Sequence, residues 1–246
     1  MRIRYAGGPT AVLELGGVRL LTDPTFDEPG DYPIGSRKLT KTGVSAFGAA
    51  EVGRVDAVLL SHDQHPDNLD RAGRAYLSGV PLVLSTRAAA ERLGAPVRAL
   101  PDGESVEVGG VRVTGVPAQH GPDGTEHLVG EVTGFVLSGE GLPTVYVSGD
   151  NASLDVVRTV AARFGRIDVA VLFAGGARTP LVDGYLTLTS DDAAVAADLL
   201  GARHVVPLHF EHWAHFTHGR ETLERAFEGF GERLSLLSPG ESVTLS

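Results

Sequence analysis

The chain has 246 residues, 42% hydrophobic and 21% charged, a composition typical of a folded globular protein. It contains no cysteine, which excludes disulfides and thiolate metal ligands and fits a cytoplasmic location. The formal net charge of -10, with only Arg37, Lys38 and Lys41 as a local basic cluster, argues against nucleic-acid binding. No stretch approaches the roughly 18 apolar residues of a transmembrane helix, so we expect no membrane insertion.

The first part of the chain is predicted to be rich in β-strands. Apolar runs separated by turn signals such as Gly16-Gly17 and Gly109-Gly110 define them. The predicted strands cover residues 11–15, 18–21, 57–60, 82–84, 105–108, 111–116, 134–137 and 144–147. Residues 57–60 are all apolar, which suits a strand buried on both faces. Residues 26–48 are rich in glycine, proline and polar residues and are predicted to form a long loop.

Helices interleave with these strands. They are predicted at residues 69–77, 86–93, 153–164, 190–200 and 221–230. In the third of these, apolar residues recur at helical spacing, and Ser190-Asp191-Asp192 is typical of a helix N-terminus. The chain has no linker or repeat. We therefore predict one domain over residues 1–246, with two packed β-sheets and helices outside.

The strongest chemical signal is the segment Ser61-His62-Asp63-Gln64-His65-Pro66-Asp67-Asn68, which follows the predicted strand 57–60. Two histidines and two aspartates lie close together at a strand end. A turn of this kind can direct several side chains to one point, as a metal site requires. The alternative is a polar loop whose histidines and aspartates are merely solvated.

Three further predicted strands end in a potential ligand. His120 follows residues 111–116, Asp150 follows 144–147, and His209 ends the apolar run 205–208. Taken singly, each histidine could be structural and Asp150 could cap a helix. Taken with the first segment, they indicate one metal centre, in which an aspartate could bridge two ions. Histidine favours Zn²⁺, while carboxylates also admit Mn²⁺ or iron.

The order of these segments resembles the metallo-β-lactamase superfamily, in which a His-x-His-x-Asp-His turn precedes a lone His, a bridging Asp and a final His. The chain is most similar to the branch with ascorbate-6-phosphate lactonase and N-acyl-phosphatidylethanolamine phospholipase D. The residues that carry this likeness include Thr10-Ala11-Val12-Leu13-Glu14-Leu15-Gly16-Gly17-Val18, Leu21-Thr22-Asp23-Pro24, Gly149-Asp150 and Pro207-Leu208-His209. The resemblance implies a four-layer αββα sandwich and a divalent-metal hydrolase. The implied metal ligands are His62, His65, Asp67, His120, Asp150 and His209.

The turn departs from the family pattern because it is one residue longer. Alignment from its end matches His65, Asp67 and Asn68 to the second His, the Asp and the last His, and leaves His62 or Asp63 as the first ligand. Alignment from its start keeps His62 first and makes Gln64 the second ligand. In both cases Asn68 replaces a strong ligand, so we expect a second metal position that binds more weakly, and one or two ions in total.

These features predict an enzyme that attacks a small-molecule ester, lactone or phosphodiester with metal-activated water. Asp67 would orient the water and take its proton, and Asp150 would ligate or bridge. The alternative is a metal-impaired binding or regulatory module that keeps the fold. Whether copies of the chain form a homo-oligomer is left open.

Five other histidines are not needed by this site. His212, His215 and His218 are spaced three apart, so on a helix they would share one face. They could be extra metal ligands, an acid that faces the substrate, or merely a polar helix surface. His127 and His204 are expected to be structural.

Overall fold

Two β-sheets lie at the centre of the computed structural model, which describes residues 1–245. The first sheet contains β1 (Arg2–Gly7), β2 (Thr10–Leu15), β3 (Val18–Thr22), β6 (Ala57–Leu59), β7 (Val83–Ser85), β8 (Val97–Ala99) and β15 (Ser242–Thr244). Its spatial order is β15-β1-β2-β3-β6-β7-β8. The strands from β15 to β3 are antiparallel, whereas β6, β7 and β8 continue parallel to β3.

The second sheet contains β9 (Ser105–Val108), β10 (Val111–Pro117), β11 (Thr133–Ser138), β12 (Val145–Val147), β13 (Val169–Phe173) and β14 (His204–Leu208). Its order is β14-β13-β12-β11-β10-β9. Strands β9 to β12 are antiparallel, while β12, β13 and β14 run parallel. The ends of β12 and β14 therefore lie at the same edge of the sheet.

A separate hairpin corrects the prediction of an unstructured loop over residues 26–48. It consists of β4 (Gly30–Ile34) and β5 (Arg37–Lys41), which pair only with each other as a two-stranded sheet. Gly35 at its two-residue turn has a φ of 57°, a conformation that glycine adopts without steric cost. Proline, glycine and charged residues interrupt the alternation by which a strand is normally recognised.

The helices are α1 (Ala49–Val52), α2 (Arg71–Leu77), α3 (Arg87–Leu93), α4 (Glu126–Val129), α5 (Leu154–Phe164), α6 (Ser190–Leu199) and α7 (Arg220–Ala226). Most predicted boundaries agree within one or two residues, but α7 ends four residues before the predicted position. Strands β1, β8, β13 and β15 were not predicted. No helix within residues 1–245 is both long and apolar enough to cross a bilayer.

Three apolar layers hold the sheets and helices together. Along β13, Val171 contributes to the core between the sheets, whereas Leu172 points to the opposite side, where Ala196 of α6 packs. On the outer face of the first sheet, Val58 of β6 and Leu77 of α2 share a third cluster. The layers are therefore helices, sheet, sheet and helices, and the predicted αββα sandwich is confirmed.

Candidate metal centre

The six predicted ligands meet at one edge of the sandwich. The turn with His62, His65 and Asp67 follows β6, and the other three residues follow β10, β12 and β14. They form two groups of potential metal-binding atoms: His62, His65 and His120 in one, and Asp67, Asp150 and His209 in the other.

Three imidazoles converge in the first group. His62 Nε2 lies 3.0 Å from His65 Nδ1, which is 3.3 Å from His120 Nε2. The Leu186 carbonyl can only accept, so His120 Nδ1, 2.9 Å away, donates to it. This hydrogen bond leaves the lone pair of His120 Nε2 free to face the other two rings. Ser61 Oγ lies 3.0 Å from His62 Nδ1 and so contacts the other nitrogen of that ring.

Burial keeps His62 and His65 of the first group uncharged. It lowers the pKa of His62 well below its ordinary value and lowers the pKa of His65 to about 4, with the neighbouring His120 acting in the same direction on His65. Both rings are therefore neutral at neutral pH. Neutral imidazole is the form that binds a metal ion.

The second group combines two carboxylates with one imidazole. His209 Nε2 lies 3.4 Å from Asp67 Oδ2 and 3.4 Å from Asp150 Oδ1. The other oxygen of Asp150, Oδ2, is 3.8 Å from His120 Nδ1. Asp150 therefore lies close to a histidine of each group, with a different oxygen near each.

Charge interactions in the second group outweigh desolvation. Burial alone would raise the pKa of Asp67 and Asp150, but neighbouring histidines hold both pKa values well below the ordinary range. Burial opposes a charge on His209, yet the two carboxylates raise its pKa to about 10. The site thus holds negative charge that attracts a cation at neutral pH.

The backbone at His209 is in an uncommon conformation. Its φ of 56° is left-handed, which costs a residue other than glycine on the order of 1 kcal/mol. Its N–H donates to the Gly8 carbonyl at 2.7 Å, so the loop after β1 holds the end of β14 in this position. The strained turn directs the buried ring toward the two aspartates.

One buried atom of the second group supports metal binding. Asp67 Oδ1 has no hydrogen-bond partner among the described residues. An unpaired buried polar atom is costly, and a bound cation would satisfy it. The mixed nitrogen and oxygen donors suit a divalent ion such as zinc, manganese or iron. The residues present therefore fit a metal centre.

Within the long turn, the structure separates the alternatives left by the sequence. His62 and His65 lie in the site. The Gln64 side chain instead packs against Gly130, where an added Cβ would lie 2.7 Å from Gln64 Nε2. The Asp63 carboxylate is buried away from them and pairs with Arg92, whose Nε lies 3.0 Å from Asp63 Oδ2. The additional residue is thus accommodated by turning Asp63 out of the site.

The histidines at 212, 215 and 218 do not lie on a helix, contrary to one predicted arrangement. His212 has a φ of 74°, and its ring packs against Gly7 and Gly43, where an added Cβ would clash with it. His218 Nδ1 accepts the Ser190 N–H at 3.2 Å. His215 alone reaches the site, where its Nε2 lies 3.1 Å from Asp67 Oδ2.

A pocket opens onto the two groups. His65, Asp67, His120, Asp150 and His215 are the ionisable residues at its base. Most of its wall is apolar, with Ile34 and Leu39 from the β4–β5 hairpin, Leu128 and Val129 from α4, and Ala177, Leu181 and Leu186 from the segment between β13 and α6. The hairpin, predicted as loop, therefore forms one side of the pocket.

The three basic residues of the hairpin are separated from one another. Arg37 lines the pocket and donates to Thr179 Oγ1 at 2.8 Å. Lys38 is exposed and pairs with Asp31, whereas Lys41 is buried and pairs with Asp70 at 3.2 Å. These positions form no continuous basic surface.

Comparison with known proteins defines the class. The model of the beta-lactamase superfamily domain matches residues 18–210. The chain therefore belongs to this superfamily and has the metallo-β-lactamase fold, as predicted. The metallo-β-lactamase fold protein YhfI from Bacillus subtilis aligns with a TM-score of 0.64 at 16% identity, covering 99% of each chain.

Two further proteins that are similar to this chain are named hydrolases. A UPF0173 metal-dependent hydrolase from Pyrococcus abyssi is 30% identical over 196 residues, which are 78% of this chain and 82% of the relative. An isothiocyanate hydrolase from Delia radicum gut bacteria has a TM-score of 0.86 at 24% identity, covering 100% of this chain and 99% of its own. The protein is accordingly a metal-dependent hydrolase.

Proposed function

We propose that the protein hydrolyses a small-molecule ester, lactone or phosphodiester, with divalent metal held by His62, His65, His120, Asp67, Asp150 and His209. The convergence of these six side chains carries the proposal, because four of them, His65, Asp67, His120 and Asp150, line a pocket. Zinc is the proposed ion because four of the six donors are imidazoles, and manganese is the second candidate. Because the donors follow strands of both sheets, we also propose that residues 1–246 act as one hydrolase domain.

A divalent ion at this site would lower the pKa of a water molecule to about 7 and polarise a carbonyl or phosphoryl oxygen. The protein supplies the remaining functions. Asp67 lines the pocket, and its Oδ1 is free of hydrogen bonds among the described residues, so it can orient the attacking water and accept its proton. Asp150 would ligate one ion or bridge two, because its two oxygens lie near histidines of different groups.

The pocket constrains the substrate. Its apolar walls would exclude water from the reacting groups and favour a substrate with an apolar portion. Arg37 and Arg178 also line it. Arg178 pairs with the exposed Asp183 at 3.4 Å, whereas Arg37 contacts the neutral Thr179. Arg37 thus favours a substrate that carries an anionic group, such as a phosphodiester.

The test begins with elemental analysis of protein purified without added metal. The same preparation is then assayed against matched aryl esters, lactones and phosphodiesters, and against an isothiocyanate because a protein of the same fold hydrolyses one. We expect bound zinc, with hydrolysis lost on chelation and restored by added metal. Protein without metal affinity, or turnover that is insensitive to chelation, would contradict the proposal.

The substrate argument is tested separately with Arg37→Met. On an anionic phosphodiester we expect a higher KM, while a neutral ester of the same leaving group should be hydrolysed as by the parent. Lys38→Met is the matched control, because Lys38 is exposed on the same hairpin and does not line this pocket. An equal loss of activity on both substrates would mean that Arg37 does not recognise the charge of the substrate.

A further inference from the structure

A small apolar cluster, separate from the three apolar layers of the sandwich, faces the pocket. Its buried members are Val129 of α4 and Ala177 and Leu186 of the segment between β13 and α6. All three line the pocket. These side chains therefore form a wall of the pocket and are not part of the central core.

The wall is fixed in place next to the three-histidine group. The Leu186 N–H donates to the Ala177 carbonyl at 2.8 Å, which closes the loop 178–185 at its base. The Leu186 carbonyl accepts the His120 Nδ1 hydrogen at 2.9 Å. A group that lies on this wall is therefore beside a proposed metal ligand, and a preformed wall needs little ordering when a ligand binds.

Two exposed leucines continue the wall towards solvent. Leu128 precedes Val129 on α4, and Leu181 belongs to the loop 178–185; both line the pocket, although they are 46% and 41% exposed. Single exposed apolar side chains are common, but two beside a pocket with buried apolar residues mark a binding surface. The apolar residues that line the pocket within residues 1–245 are all aliphatic. The wall thus suits a hydrocarbon chain better than a ring that needs an aromatic partner.

We infer that this wall is a subsite for an aliphatic chain of the substrate. The carbons nearest the scissile bond lie against Val129, Ala177 and Leu186, and the outer carbons lie between Leu128 and Leu181. Each carbon that leaves water on this surface adds to the affinity. This inference rests on the proposed hydrolase function and narrows its substrates to aliphatic esters, lactones or phosphodiesters. Leu128 and Leu181 are then specificity-determining residues outside the metal centre.

The experiment is a calorimetric titration of the zinc-loaded protein with n-alkylphosphonates from methyl to hexyl. The phosphonate group is an anion that Arg37 and the metal attract, while the chain reports on the wall. For the parent we expect the Kd to fall roughly two- to fourfold with each added methylene. The double variant Leu128→Ser/Leu181→Ser should bind methylphosphonate as the parent does. Hexylphosphonate should bind about tenfold more weakly, the effect of roughly two buried methylenes.

Val195→Ser is the matched control, because Val195 is a similarly exposed apolar residue, at 45%, on the helix α6. It should bind the whole phosphonate series as the parent does. Both substituted leucines are exposed, so the double variant should fold, and thermal unfolding checks this. The two single variants carry the test if the double variant does not fold.

Three results would overturn the inference. The first is a Kd in the parent that does not change with chain length, or parental chain-length dependence in the double variant. The second is phenylphosphonate bound more tightly than hexylphosphonate, which would assign the wall to aromatic groups. The third is a parent that sediments as a dimer and a double variant that sediments as a monomer, because the leucines would then be covered by a second copy.

The titration distinguishes this inference from the function on which it rests, because it requires no turnover. A parent that binds the phosphonates more tightly with increasing chain length but hydrolyses none of the three substrate classes would support the subsite and contradict the proposed function. A parent that hydrolyses short and long aliphatic substrates equally well, with no chain-length dependence of phosphonate binding, would support the function and overturn the subsite.

Discussion

The side-chain amide of Asn68 donates to Asp150 Oδ1 at 3.0 Å, and the same oxygen lies 3.4 Å from His209 Nε2. The turn after β6 thereby fixes the orientation of a carboxylate that follows β12. Both side chains are buried, so water does not replace this contact readily. Groups that orient metal ligands in this way contribute to metal affinity without touching the ion.

Asn68→Ala should weaken the second equivalent of metal roughly 10–100-fold and leave the first unchanged. Without the amide, Asp150 Oδ1 loses its hydrogen-bond donor and becomes free to rotate. Zinc titration of the metal-free protein measures the effect. Gln64→Ala is the control, because Gln64 lies in the same turn but its side chain packs against Gly130. Parental affinity at both positions in Asn68→Ala would show that the hydrogen bond does not position Asp150.

Asp63→Ala should keep the full metal content of the parent but lower the free energy of unfolding. The Asp63 side chain is 2% exposed, while its partners Arg92 and Arg74 are 45% and 52% exposed. Because solvent screens the two arginines, we expect the free energy of unfolding to fall by roughly 1–2 kcal/mol. Urea denaturation gives the stability, and elemental analysis gives the metal content. Loss of metal would instead make Asp63 a ligand.

His120→Ala should release the ion of the three-histidine group while the protein stays folded. The ring supplies one of three converging nitrogens, whereas the core consists of apolar residues away from this edge. We expect zinc affinity at that position to fall by at least a factor of about 10. Equilibrium dialysis with zinc, alongside thermal unfolding of the metal-free proteins, makes the comparison. Equal metal content in variant and parent would refute the assignment.

The sequence predicted those parts of the site that depend on local pattern. Strand β6 is a short apolar run with polar ligands directly after it, and His120, Asp150 and His209 end similar runs. Parallel strands bring such ends to one edge, so their convergence follows from the topology.

Other parts depend on contacts distant in sequence and could not be predicted. The rotation of Asp63 out of the turn requires Arg92, which lies on α3. The position of His215 depends on a non-helical path through residues 210–219, in which His212 has a positive φ and packs against two glycines. The spacing of three residues between these histidines suggested a helix. The tertiary packing that prevents a helix is not visible in the sequence.

Lys41 and Asp70 form an ion pair whose side chains are 1% and 0% exposed, and it connects the β4–β5 hairpin to α2. Asp70 Oδ2 also accepts the Asp27 N–H at 2.7 Å, and its Oδ1 caps α2 by accepting the Gly73 N–H at 2.8 Å. Removal of one charge from a buried pair leaves the other uncompensated, at a cost of about 3–5 kcal/mol. Lys41→Met should therefore lower the free energy of unfolding by that amount.

The double variant Lys41→Met/Asp70→Asn should recover part of this loss. Asparagine is uncharged, and its side-chain oxygen can still cap α2, so no buried charge remains unpaired. Urea denaturation of the parent, both single variants and the double variant gives the coupling energy directly. Lys38→Met is the matched control, because Lys38 forms an exposed pair with Asp31 and should change stability by less than about 1 kcal/mol. Strictly additive effects of the two buried substitutions would mean that the pair contributes no coupling. The hairpin wall of the pocket would then have to be held by other contacts.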